Sequence, residues 1–286
     1  MSAALRFGIG GFFCLSAGWY LGGVQLQQTR LTFLSVGQGD CAVIQHKGRT
    51  ILVDAGPSEQ AARWDVMPKL RLLGVTDVDL VLLTHPDLDH IGGIPVLARA
   101  FPRATFSMPS AFEKNVDWLD HVREFGLAPN RVKYLPRQMT GDLGDLRIDV
   151  YCPEVWPGGS DNDGSMFLRV SEGNASAVLS GDASAEAEAV VAVNGDWSSQ
   201  IMKAGHHGSR SSSSWEWLSE VKPKWVVVSC GRNNSYGHPH KEVLERAASV
   251  HAQLARTDRG DVRFILKGGS FVLESPDHST ESGDAH

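Results

Sequence analysis

The chain is short of sulfur and short of positive charge, and both shortages narrow what it can be. Of its 286 residues 4 are cysteine (Cys14, Cys41, Cys152, Cys230), and none belongs to a C-x-x-C pair. That argues against a cysteine zinc site or a dense disulfide framework; a single disulfide is not readable from the spacing, and the compartment stays open. Acidic side chains outnumber basic ones, 33 against 27, for a net charge of −6. With no run of Lys and Arg, any grip on nucleic acid must rest on a local patch, for which Lys203, Arg210, Lys222, Lys224 and Arg232 are the candidates. No internal repeat is visible, which removes solenoids and propellers. What remains is an ordinary globular composition, 42% hydrophobic and 21% charged, in a chain long enough to bury a large core.

There is one long uncharged run, residues 7–26 (FGIGGFFCLSAGWYLGGVQL), preceded by Arg6. Roughly 20 apolar residues suffice to span a bilayer, whereas a signal-peptide core takes about 7–15. The stretch reads first as an N-terminal hydrophobic helix that anchors the chain, with the preceding positive charge keeping that end in the cytoplasm and the rest of the chain outside it. A cleaved signal, giving a secreted or periplasmic protein, is the second reading; a piece of a larger membrane protein and a buried helix are the others. The expected organisation is therefore an anchor or signal-like segment at 1–27, a globular domain at 28–275 and a polar tail at 276–286.

Within the domain, strands are expected at 31–36, 41–46, 49–53, 79–84, 131–135 and 146–151, with helices at 59–73 and 110–125. The second half continues with strands at 166–170, 175–179, 201–204, 225–230, 252–257, 262–266 and 271–273, and helices at 184–194 and 240–249. Strands in two groups with helices between them imply an α/β (α+β) fold of two packed sheets with helices outside.

Chemistry concentrates in Thr84-His85-Pro86-Asp87-Leu88-Asp89-His90-Ile91-Gly92-Gly93, directly after an apolar strand. Two histidines and two aspartates fall within six residues, and a loop lets successive side chains converge on one point. Imidazole nitrogen and carboxylate oxygen are natural ligands for Zn²⁺ or Mn²⁺. The two glycines permit close backbone approach. Asp54 and Asp182 each close an apolar strand. His206 and His207 follow a short strand, and adjacent imidazoles point in different directions, so one of the two is expected to bind metal directly. Ser211 to Ser214 read equally as helix caps or phosphate contacts. His46, His121, His251, His278 and His286 belong to no cluster in the sequence.

These blocks resemble the metallo-β-lactamase superfamily, whose usual motif is H-x-H-x-D-H; Asp87 stands here where most members have His. The domain looks very similar to that of ComEC-type competence (DNA-uptake) proteins. The resemblance runs through FLSVGQGDCAVIQ (33–45), ILVDAG (51–56), LSGD (179–182), MKAGHHGSRSSS (202–213) and SYGHPH (235–240), in family order over nearly all of 31–274. It implies an αββα sandwich of two mixed sheets. It implies metal ligands at His85, Asp87, Asp89, His90, Asp182, which bridges two cations, and His206. Asp54 would orient those ligands from behind, and His207, Lys203, Ser209, Asn162 and Ser165 would support them or face substrate. His238 would protonate a leaving group or hold a phosphate oxygen. Many members place a further His before the bridging Asp, whereas this chain has Asp161-Asn162-Asp163-Gly164-Ser165. One of the two sites then rests on His85, Asp87 and Asp182, an oxygen-rich set for which Mn²⁺ is as good a match as Zn²⁺.

The activity implied is hydrolysis of a phosphodiester by a water activated between two divalent cations, with Asp182 or Asp89 taking a proton. DNA, as the single strand processed during uptake, is the substrate the resemblance favours. A small phosphodiester or ester is the rival substrate, and a membrane-tethered binding domain without catalysis is the reading from a different class.

Overall fold

The computed structural model describes residues 28–153 and 160–274. The expected N-terminal helix at 7–26 and the polar tail at 276–286 lie outside the described residues. Among the described residues no helix is long and apolar enough to cross a membrane.

Fifteen described strands form two mixed sheets. The first contains β1 (Arg30–Phe33), β2 (Ala42–His46), β3 (Arg49–Val53), β4 (Leu80–Leu82), β5 (Thr105–Pro109), β6 (Val132–Leu135), β14 (Val262–Lys267) and β15 (Ser270–Glu274), in the order β15-β14-β1-β2-β3-β4-β5-β6. The second contains β7 (Gln138–Leu143), β8 (Leu146–Tyr151), β9 (Phe167–Glu172), β10 (Ala175–Leu179), β11 (Ile201–Lys203), β12 (Trp225–Val228) and β13 (Gln253–Arg256), in the order β13-β12-β11-β10-β9-β8-β7. Each sheet is antiparallel in one half and parallel in the other, with β3 to β6 and β10 to β13 parallel.

Period-two alternation divides the apolar side chains into three layers. Ala42, Ile44, Ile51, Val53 and Leu82 face inward and meet Leu168, Val170, Ala177, Leu179 and Val227 of the other sheet. Their neighbours Val43, Leu52 and Val81 face outward onto helices. Those helices are α1, which runs from Glu59–Ala61 through a π-helical stretch, Ala62–Val66, into Met67–Leu72, then α2 (Leu88–Ile91), α3 (Ile94–Ala100) and α4 (Val116–Glu124). On the far side of the second sheet, Val178, Met202, Val226 and Val228 pack against α5 (Ala185–Ala192), α6 (Trp215–Val221) and α7 (Lys241–Ser249). Trp217 is fully buried there against Phe167 and Trp197.

Some boundaries differ from the sequence reading. The helix expected at 110–125 is a 3₁₀ turn at Ser110–Phe112 and then α4, because Asn115 caps a new helix start by accepting the Trp118 N–H at 2.9 Å. Strands β5 and β7 carry no clear strand pattern in the sequence. The first ends on a proline, and the second is a polar edge strand containing Gly141.

Candidate metal centre

Loops that leave strands of both sheets meet at one end of the sandwich. Beyond β4, Thr84 turns the chain and binds Asp54, its N–H and its hydroxyl both reaching Oδ1, at 2.8 and 3.1 Å. The other carboxylate oxygen of Asp54 holds His90 Nδ1 at 2.8 Å, which leaves His90 Nε2 facing Asp182 Oδ1 at 3.2 Å. A carboxylate behind an imidazole orients it as metal-binding histidines are oriented. Asp54 adopts a left-handed backbone to do so (φ 63). The motif packs backbone on backbone against this strand end: a Cβ added at Gly93 would lie 2.0 Å from the Ala55 carbonyl oxygen, so only glycine fits. His85 is fully buried, with its Nδ1 3.0 Å from the Thr84 hydroxyl and its Nε2 3.6 Å from Asp87 Oδ2. Asp87 and Asp89 are both half-buried at the mouth.

Asp182 is buried, and the turn that carries it is braced by the stretch before β9. Ser165 Oγ accepts the Asp182 N–H, the Asn162 carbonyl accepts the Ser165 N–H, and Asp163 accepts the Ser184 N–H. Ser165 and Asn162 thus support the turn. Asp163, which the sequence did not single out, does the same.

Asp40 is the residue the sequence reading missed. It sits in the tight Gly37-Gln38-Gly39-Asp40 turn before β2, where its N–H bonds the Asp89 carbonyl and its own carbonyl accepts the Gly56 N–H. Its side chain is buried beneath the motif, 2.5 Å from Lys203 Nζ and 3.6 Å from His207 Nδ1. An aspartate at the start of one apolar strand, beside the strand that Asp54 ends, was the available signal.

The histidine pair resolves differently from the order expected. Both residues are left-handed, His206 at φ 46 and His207 at φ 54, a strained conformation for bulky residues and one that collects at functional sites. His207 is 2% exposed and points inward, with Nε2 3.2 Å from Asp182 and 3.1 Å from Asp89. Its Nδ1 lies 2.9 Å from the Ser229 carbonyl. His206 stands a third exposed at the rim, 3.8 Å from Asp182. Position and burial therefore turn His207, and not His206, into the cluster.

Ligand atoms of Asp40, His90, Asp182 and His207 all lie within 4.8 Å of one another, and all four side chains are buried. Nε2 of His85, Nε2 of His90 and Oδ1 of Asp182 are shielded from water without a hydrogen-bond partner. Such groups cost free energy unless something electropositive satisfies them. The donor set, imidazole nitrogens with carboxylate oxygens, suits a divalent cation. Burial by itself disfavours ionising Asp182 and Asp40, but the cationic partners around them prevail and hold both below the usual carboxylate range. Burial likewise opposes protonation of His90 and His207, and the facing carboxylates overcome it and raise both. The pocket is thus built to hold positive charge.

Lys203 supplies a fixed part of that charge. It is buried, donates to the Gly181 and Ala204 carbonyls, and faces Asp40 and Asp182. It cannot join the surface patch proposed for nucleic acid. Of that patch, Arg210 lies 3.7 Å from Glu242 and Arg232 bonds the Asp258 carbonyl.

Around the rim, Tyr236 stacks on His238 (5.5 Å between ring centres, 22° apart), and His238 lies 6.0 Å from His206. Asn234 fastens this loop, accepting the His238 N–H and donating to its carbonyl. Burial and the neighbouring His240, His207 and His206 push His238 down to about 4. It is therefore neutral near pH 7, which suits holding an oxygen better than giving up a proton. Ser209 bonds Ser211, and His240, the residue that precedes α7, accepts the Arg210 N–H at its Nδ1.

The serine run is structural. Ser214 caps α6 and Ser213 accepts the Gly205 N–H, one residue before the histidine pair. The backbone N–H groups of Ser213 and Ser214 both end on Glu188, at 2.7 and 2.8 Å. Glu188, on α5, is wholly buried, and that burial pushes its carboxyl up to about 7. Nothing in its Ala-rich helix marks it in the sequence.

Residues 34–232 match the family model of the metallo-beta-lactamase superfamily. The chain is 30% identical over 266 residues to ComE operon protein 3 of Bacillus subtilis, covering 85% of this chain and 34% of that protein. It is 29% identical over 258 residues to competence protein ComA of Neisseria gonorrhoeae, covering 86% of this chain and 34% of that protein. The chain thus spans about a third of the length of these relatives. Among solved structures, the metallo-beta-lactamase fold protein YhfI from Bacillus subtilis superposes with a TM-score of 0.55 at 12% identity, over 84% of this chain and 100% of that one, a likeness of fold alone. The αββα architecture, the buried Asp and His cluster and the matching family model place this chain in the metallo-beta-lactamase superfamily.

Proposed function

We propose that the domain is a metal-dependent phosphodiesterase that cleaves DNA, as a nuclease of the ComEC type. The observation that carries the reading is the buried cluster of Asp40, His90, Asp182 and His207, whose ligand atoms all lie within 4.8 Å of one another. Two divalent cations, Zn²⁺ or Mn²⁺, match the donors: His85, Asp87 and Asp182 would hold one, and Asp40, Asp89, His90, Asp182 and His207 the other. Such cations neutralise charge on phosphoryl oxygens and lower the pKa of water.

The chain's own groups do the rest. Asp54 and Thr84 hold the imidazoles in one tautomer, so that their far nitrogens face the pocket. Asp89, at the mouth and 3.1 Å from His207 Nε2, accepts a proton from the attacking water. Neutral His238 holds a phosphoryl oxygen. The exposed ring of Tyr236, 63% accessible and stacked on His238, offers a face on which a base can lie, independent of sequence. The relatives named for competence favour DNA as the polymer. We also propose that the uncharged stretch at 7–26 holds the domain at a membrane, which fractionation of cells expressing the chain checks.

The test is cleavage of single- and double-stranded DNA by the full chain with Mn²⁺ or Zn²⁺, beside Asp182→Ala and a bis-phosphodiester dye ester. DNA cleavage lost in the variant is the expected result. Turnover of the small ester alone removes DNA from the proposal, and turnover of neither removes catalysis.

A further inference from the structure

A second group of metal-binding side chains lies at the other end of the sandwich. His46 ends β2, the strand that Asp40 precedes, so about six residues at roughly 3.3 Å each put it about 20 Å from the catalytic cluster. It is 1% exposed. Two hairpins of the opposite sheet reach across to it: Asp145 sits in the turn between β7 and β8, and Glu172 ends β9. One ligand atom from each of His46, Asp145 and Glu172 lies within 4.8 Å of the other two.

Hydrogen bonding orients the ring. The Thr29 hydroxyl donates its one proton to Glu172 Oε2, so it can only accept from His46 Nδ1, 2.7 Å away. Nδ1 therefore carries hydrogen, and Nε2 is the ring nitrogen left to face the group. That Nε2 is buried without a hydrogen-bond partner. Asp145 Oδ1 lies 2.9 Å from it but makes no hydrogen bond to it. The separation is what two ligands on one ion show, since metal bonds of about 2.0–2.2 Å put neighbouring donors roughly 3 Å apart. Gly144, left-handed at φ 68 in the same turn, keeps the approach to Nε2 clear: a Cβ there would come within 3.3 Å of it. Lys47 Nζ, 2.6 Å from Asp145 Oδ1, is half exposed and free to swing outward.

We propose that His46, Asp145 and Glu172 form a second site, separate from the catalytic one, that takes a divalent transition-metal ion such as Zn²⁺ and ties the two sheets together. Its donors, one imidazole and two carboxylates, leave the remaining positions to water on the exposed side of Asp145.

The full chain is stripped with chelator, equilibrated with Zn²⁺ and gel-filtered, and bound zinc is counted per chain. The Asp145→Asn/Glu172→Gln double variant should hold one zinc fewer, with phosphodiester turnover unchanged; adding Asp182→Ala should lower the count further. In wild type, Zn²⁺ should move the ¹⁵N resonance of His46 Nε2 and leave Nδ1 protonated. Equal zinc counts in wild type and double variant overturn the proposal. So does a His46 ring that stays protonated on both nitrogens at saturating Zn²⁺, and this readout decides alone if the double variant does not fold.

Discussion

Glu188→Gln probes how the fold holds its inward histidine. Both carboxylate oxygens of Glu188 are engaged, one on each backbone N–H of Ser213 and Ser214. Glutamine keeps one acceptor and turns an NH₂ toward the other N–H. An unpaired buried donor costs about 1–3 kcal/mol. At pH 4.5, where wild-type Glu188 is protonated and its hydroxyl oxygen can still accept, the variant should thus lose on the order of 2 kcal/mol. The pH dependence is the sharper signature. Burial raises the carboxyl from 4.5 to about 7, so between these values the folded protein keeps a proton that the unfolded chain has lost. Stability from this group is fully present below pH 4.5 and falls as pH rises to 7. The difference, about 2.5 units, corresponds to about 3 kcal/mol. Glutamine has no such slope. Urea unfolding of both proteins with chelator present, at half-unit steps from pH 4.5 to 8, measures it. The wild-type stability relative to the variant should fall by about 3 kcal/mol across that range; parallel stability curves would refute the reasoning.

Two further outcomes follow from the site. Asp40→Asn leaves Lys203 buried without its 2.5 Å ion-pair partner, so stability should fall by about 3–5 kcal/mol. Affinity for Zn²⁺ or Mn²⁺, measured by chelator competition, should fall at least 10–100-fold. Tyr236→Ala removes the exposed stacking face, worth about 1–3 kcal/mol per base. DNA cleavage should therefore drop roughly 5- to 150-fold in kcat/KM while dye-ester turnover holds, and equal loss on both substrates would remove the stacking role.

The sequence by itself determined the two-sheet architecture, because each inward and outward strand face is written as period-two alternation, as in Ala42, Val43 and Ile44. It also marked the H-x-D-x-D-H loop and the strand-ending Asp54 and Asp182, since these side chains are local to apolar runs that fix their backbone. It did not mark Asp40, Glu188 or the grouping of His46, because each acquires its chemistry from residues far away in the chain. Asp40 meets Lys203, Glu188 meets Ser213 and Ser214, and His46 meets Asp145 and Glu172. The choice between His206 and His207 belonged to the tertiary structure for a different reason. Neighbours in sequence share every local signal, and only the left-handed turn held by Ser213 against Gly205 decides which imidazole turns inward.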